Sequence, residues 1–195
     1  MKRLADVDAF RSMGMYRRKS LWEVSALQDV PGELFKGQAS ESMLETQVEL
    51  PLMGKGEHVV QDYATMGLSL KAHPVSFVWS QLDMMNIRSC HHINKDSTDG
   101  QLLKVAGLVL VRQRPGTAGG VCFITIEDES GYSNLVVFEK LFETYRKEIL
   151  HSRLLMVEGR LQREGKVVHV IVSKCFDFTK MLGKLVQREV DDCRY

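Results

Sequence analysis

The sequence predicts an α+β chain, a small helical amino-terminal part followed by a five-stranded β-barrel. Three observations predict it. Between residues 102 and 178, five runs alternate apolar and polar side chains, the period-2 mark of strands with one buried face. One amphipathic segment, 139–150, separates the third run from the fourth. Upstream of residue 100, apolar residues recur at helical spacing and are punctuated by Gly and Pro. Three strands, a helix and two strands is the order of the OB-fold, a small barrel that commonly binds single-stranded nucleic acid or oligosaccharide.

Each element can be justified in order. Residues 5–28 read as two helices. The first is capped by Asp6 or Asp8, carries Phe10 and Met13, and ends at Gly14. The second carries Leu21, Val24 and Leu27, with the basic run Arg17, Arg18 and Lys19 at its start expected as a solvated face. Residues 29–56 hold Pro31, Gly32, Gly37, Pro51, Gly54 and Gly56 and read as a connection. A helix is expected over 57–68, with Val59, Val60, Tyr63 and Met66 on one side and Gly67 after it. Pro74 suits the first turn of another, running through Phe77, Val78 and Leu82 to about Met85. Residues 86–100 are polar and read as a second connector. The expected domains are thus 1–28 (helical), 29–100 (linker and helical connector), 101–180 (barrel) and 181–195 (tail).

The barrel strands are expected at 102–112, 121–127, 132–138, 153–162 and 167–176. Gly107 falls where the first strand must bend. Arg114, Pro115 and three glycines make a mobile strand 1–2 loop, and Gly165 marks the strand 4–5 hairpin. Alternation puts Ile124, Ile126, Leu135 and Val137 inward, and Phe123, Thr125, Glu127, Tyr132, Asn134, Val136 and Phe138 outward. Leu141, Phe142, Tyr145, Ile149 and Leu150 form a stripe that would plug the barrel's open end.

Composition excludes more than it assigns. A 44% hydrophobic content in 195 residues supports a packed core, and a net charge of +1 makes no global case for nucleic acid. Residues 104–180 hold 12 Lys/Arg against 9 Asp/Glu, a mild local excess. Cys90, Cys122, Cys175 and Cys193 have neither metal-ligand nor disulfide-framework spacing, so a reducing, cytoplasmic setting is expected. Cys90, His91 and His92 are adjacent, chelate one ion poorly and lack a fourth partner, so neither a metal nor any other cofactor is expected in this chain. No apolar run reaches transmembrane length and the first residues do not form a signal peptide, so no membrane partner is expected. No nucleophile–base pairing suggests an independent enzyme such as a hydrolase.

The candidate site is therefore a binding face. A base can stack on outward Phe123 while Asn134, beside it on strand 3, reads its edge, with outward Thr125 on the same strand as Phe123. Arg112 and Arg114 leave the first strand, and Arg160, Arg163, Lys166 and His169 surround the last hairpin. Loops 1–2 and 4–5 flank the binding face of this fold, so these cations are expected to meet phosphates there.

Long runs also carry a resemblance. VAGLVLVRQRPGTAGGVCFITIEDESGYSNLVVF (105–138) and LLMVEGRLQREGKVVHVI (154–171) resemble the carboxy-terminal end of error-prone bacterial DnaE-type DNA polymerases, the ImuC class. DYATMGLSLKAHPVSF (62–77) resembles that family's link from the fingers region to the OB-fold, and DAFRSMGMYRRKSLWEV (8–24) the end of its helix-hairpin-helix region. The resemblance implies translesion DNA synthesis in the damage response for a longer protein, with Mg²⁺ held by palm aspartates. Nothing here matches that palm, and Asp62, Asp83 and Asp128 stand apart from one another. The chain is expected to be a piece of such a polymerase, whether by truncation, by a split gene or by excision, with no catalytic site of its own. It should keep single-stranded template DNA binding or, alternatively, act as a module docking other mutagenesis-complex proteins.

Gln81, Leu82, Asp83, Met84 and Met85 are similar to the pentapeptide that docks bacterial proteins on the sliding clamp, and residues 47–52 to its longer form. Helical closure with Leu82 and Met85 in a core is the competing reading. The family's use of accessory proteins to reach the clamp also counts against docking.

Overall fold

The computed structural model describes residues 1–26, 49–165 and 167–183. The chain divides into two units, Met1–Ser69 and Leu70–Tyr195. The expectations at Leu27, through most of the 29–56 connection, at the start of the 47–52 stretch, at Lys166, at Cys193 and over most of the tail lie outside the described residues.

The first unit is helical. It comprises α1 (Lys2–Asp6), a 3-10 turn (Arg11–Met13), α2 (Arg17–Ala26) and α3 (Lys55–Met66). Neither Asp6 nor Asp8 is the N-cap of α1, because that helix starts earlier, after Met1. Gly67 ends α3 with φ 76°, a left-handed conformation that glycine adopts without steric cost. The buried face of α3 is Gly56, Val59 and Asp62, while Val60 and Met66 are exposed. Its polar member explains the shift, because Asp62 faces Arg17.

Arg17 departs furthest from expectation. Its side chain is 1% exposed, it is ion-paired with Asp62 and it donates to the His58 carbonyl at 3.3 Å. Ser69 Oγ donates to the other Asp62 oxygen at 2.8 Å. Arg18 donates to Glu57 at 2.5 Å and to the Pro51 carbonyl at 3.0 Å. Arg17 and Arg18 therefore clamp α2 to the α3 segment, while Lys19 stays exposed beside Glu23 of its own helix.

The second unit holds the barrel and the segment before it. A 3-10 turn (Pro74–Val78) runs into α4 (Trp79–Met84), and α5 is Cys90–Lys95. The strands are β1 (Leu102–Gln113), β2 (Cys122–Asp128), β3 (Gly131–Val137), β4 (Leu154–Glu164) and β5 (Val167–Asp177), closed in the order β1-β2-β3-β5-β4. The β3–β5 pairing is parallel and the others antiparallel. This is the expected OB topology.

Closure depends on two close approaches. A Cβ on Gly107 would lie 2.6 Å from the Glu127 carbonyl oxygen, and one on Gly159 2.5 Å from that of Ile171. Only glycine lets the backbones come so near. Beside Gly159 the β4–β5 register slips by one residue, at Ser173, whose hydroxyl donates to the Glu158 carbonyl at 2.9 Å. Such bulges raise the local bend that a small barrel requires.

The interior is filled by Val105, Ile124, Ile126, Leu135, Val137, Leu155, Val157, Leu161, Val170 and Val172. One end is plugged by α5, through Cys90 and Ile93. Ser89 Oγ accepts from His92 N, capping this helix, and Asp128 accepts from Cys90 N at 2.7 Å. The composition of 86–100 suggested only a connector, because a six-residue helix that buries Cys90 and Ile93 shows too little periodicity to read. The segment expected as one helix after β3 is two, α6 (Glu139–Thr144) and α7 (Arg146–His151), broken at Tyr145. The break turns Phe142 and Ile149 into the core and leaves Leu150 exposed.

A second buried patch lies outside the barrel. Ala106, Leu108, Leu154 and Met156 are buried although the interior is filled by other residues of β1 and β4. The segment leading into the barrel brings its own buried Val75, Val78, Leu82 and Ile87, and Arg88 N donates to the Lys104 carbonyl at 2.8 Å. Phe178 N donates to the Leu154 carbonyl just before α8 (Thr179–Gly183). No described helix is long and apolar enough to cross a membrane.

Candidate nucleic-acid interface

Strand register decides which expected site residues meet. On the outer surface Thr125 pairs across to Asn134, Asn134 to His169, and His169 to Gln162. The adjacent row runs Gln113, Phe123, Val136, Ile171 and Arg160. Phe123, Thr125, Asn134, Arg160 and His169 are thus gathered on one face spanning four strands. Phe123 is 39% exposed. Val136 faces outward as expected, yet it is only 9% exposed, flanked by Phe123 and Ile171. The centre of the face is therefore an apolar floor.

The polar row is partly preset. Thr125 Oγ1 donates to Asn134 Oδ1 at 3.1 Å, which leaves the Asn134 amide hydrogens directed elsewhere. His169 Nδ1 is buried without a hydrogen-bond partner. The residue as a whole is half-buried on this face.

The other cations are placed differently. A bulge between Val109 and Val111 reverses the phase of β1, so Arg112 pairs opposite inward-facing Ile124. Its guanidinium donates to the Ile149 carbonyl at 2.5 Å and to the Ser152 carbonyl, closing the end of α7. Burial lowers its pKa from the ordinary value. Arg114 is held at the base of its loop. It donates to the Gly120 carbonyl at 3.1 Å, pairs with Glu139 and Glu143 at 3.4 and 3.5 Å, and lies 4.4 Å from the Phe142 ring centroid. The loop expected to be mobile is thus tied to α6. Arg163 donates to the Asn94 and Ser97 carbonyls at 2.9 and 3.1 Å and fastens the segment after α5. Lys166 lies outside the described residues.

Three of the six rim cations are thus engaged by the protein itself, which spacing in sequence could not reveal. Sequence reasoning also left out of the site Tyr132, the most exposed aromatic on the face at 60%. Its outward phase was legible in the sequence.

Other motifs resolve as structure. Residues Gln81 to Met84 lie within α4, Leu82 is fully buried, and Met85 N bonds back to the Leu82 carbonyl. A clamp-binding peptide must be extended, so this segment could dock only by unfolding. Burial pushes the Cys90 and Cys175 thiols up to about 12, making both protonated packing groups. The Mg²⁺ implied by the resemblance does not fit the described residues. Asp62 is paired with Arg17, Asp128 accepts from Cys90 N, Ser130 and Gly131 N, and Asp83 is exposed on another element.

Residues 103–177 match the family model described as an OB-fold nucleic acid binding domain. Over 97% of its length the chain is 48% identical to "Error-prone DNA polymerase 1" of Rhizobium meliloti (strain 1021). Over 89% it is 49% identical to "Error-prone DNA polymerase" of Rhodopseudomonas palustris (strain BisB5). The chain spans only 17% and 16% of those relatives. Among solved structures, asparaginyl-tRNA synthetase from Pyrococcus horikoshii matches 49% of the chain and 23% of its own, at 24% identity and TM-score 0.42. Over nearly its whole length the chain is therefore homologous to a stretch about one sixth as long as the error-prone DNA polymerases, and its barrel is an OB-fold.

Proposed function

We propose that this chain binds single-stranded DNA on the outer face of β2, β3 and β5, holding template for an error-prone, translesion polymerase of the cytoplasm. The observation that carries the reading is the pair of in-register rows. An exposed ring (Phe123) and an apolar floor (Val136, Ile171) end at a cation (Arg160), beside a hydrogen-bonding row of Thr125, Asn134, His169 and Gln162. Bases offer π-faces and polar edges, and the backbone offers charge, so each part has a counterpart. No catalytic step is assigned to these residues.

Fluorescence anisotropy of a labelled oligothymidine tests this. Phe123→Ala should weaken binding roughly 5- to 150-fold, the equivalent of about 1–3 kcal/mol for one stacked base. Arg160→Gln should flatten the salt dependence by about 0.7 in the log–log slope, one phosphate contact. Binding that ignores both substitutions would refute the assignment of this face.

A second reading, a module docking other mutagenesis-complex proteins, has one observation in its favour. Arg112, Arg114 and Arg163 are engaged within the protein, which reduces the charge offered to phosphates. Absence of oligonucleotide binding at low salt would select it.

A further inference from the structure

The outer face carries a second large exposed aromatic that the proposed site does not use. Tyr132 is 60% exposed on β3, in the same outward phase as Asn134 and Val136. Phe123 pairs with Val136, four residues along β3 from Tyr132. At about 3.3 Å per residue, the two rings stand roughly 13 Å apart along the strands. The Thr125–Asn134–His169 row lies midway between them.

Resting on the nucleic-acid reading above, we propose that Tyr132 is a second stacking platform, so that the face grips three successive bases of an unstacked strand. One base lies on Phe123 and one on Tyr132. The base between them lies over the Asn134 amide, whose oxygen already takes the Thr125 hydroxyl. Stacked bases are about 3.4 Å apart, so bases on the two rings cannot stack on one another. A strand drawn out to about twice that spacing places one base between them. The path leads from the end carrying the 114–121 loop, where Cys122 pairs with Val137, toward the end fastened by Asp128 and α5. Tyr132 itself sits at a fixed point there, since its carbonyl accepts from Asn94 Nδ2 at 2.9 Å. Glu127 pairs directly opposite, and its carboxylate lies 3.5 Å from His73 Nε2.

The test uses the full chain and a labelled twelve-residue oligothymidine, with thermal unfolding of every variant as a control on folding. Tyr132→Ala should weaken binding at least about 5-fold, and Tyr132→Phe, which keeps the ring, should stay within about twofold. Sites this far apart act independently, so the fold-losses of Phe123→Ala and Tyr132→Ala should multiply in the double variant. Parental affinity in Tyr132→Ala, with Phe123→Ala weakened, would overturn the second platform and leave the first in place. Equal losses in Tyr132→Ala and Tyr132→Phe would also overturn it, since stacking would not be the interaction lost. No binding by the parental chain would instead refute the nucleic-acid reading on which the proposal rests.

Discussion

Arg17→Ala is expected to destabilise the helical unit by about 3–5 kcal/mol, the largest single-residue effect in the chain. The residue sits at the first position of α2, where the helix dipole disfavours a cation. Its burial is tolerated because the guanidinium meets Asp62 and the His58 carbonyl. Truncation leaves the Asp62 carboxylate buried without that guanidinium, and the desolvation of a charge is not recovered. Replacing both residues, Arg17→Met with Asp62→Leu, should cost much less than the sum of the single changes, since no charge is then stranded. Urea unfolding followed by Trp22 fluorescence, in a Trp79→Phe background, reads this unit. A loss below about 1 kcal/mol, the range of a surface pair, would show that Arg17 is not buried in solution.

The second large effect is expected at Gly159. Gly159→Val places a branched side chain where a single Cβ already falls 2.5 Å from the Ile171 carbonyl oxygen and 2.7 Å from Val170 Cγ1. The oxygen belongs to the partner strand's backbone and cannot rotate away, so β4 and β5 must separate beside their bulge. Overpacking of this kind costs about 3 kcal/mol, at the upper end of the usual range. Thermal unfolding measures it, and hydrogen exchange should show the loss of protection centred on Gly159 and Ile171. A variant as stable as the parent would mean that the two strands do not approach so closely.

The barrel was legible in sequence because β2, β3 and β5 bury chiefly one face, which imposes alternation. Ile124, Ile126, Leu135 and Val137 are buried as that pattern requires. The break at Tyr145 was not legible, since 139–150 keeps a helical apolar stripe across it. Arg112 shows the limit more sharply. A single extra residue at Leu110 reverses everything after it in β1, and no local signal in LVLVRQ marks the insertion. Arg17 and Arg163 were misplaced for a related reason. A charge run reads as surface until its partners are known, and Asp62, Asn94 and Ser97 are remote in sequence. The site residues that did assemble, Phe123, Thr125, Asn134, Arg160 and His169, lie within strands whose phase was readable.

The central claim is that single-stranded DNA lies on the β2–β3–β5 face, and photocrosslinking tests it most directly. An oligothymidine carrying 5-iodouracil, irradiated with the full chain at low salt, should crosslink to peptides containing Phe123 and Tyr132, and excess unlabelled strand should suppress both. Crosslinks confined to residues 1–69, or none at saturating protein, would contradict the claim.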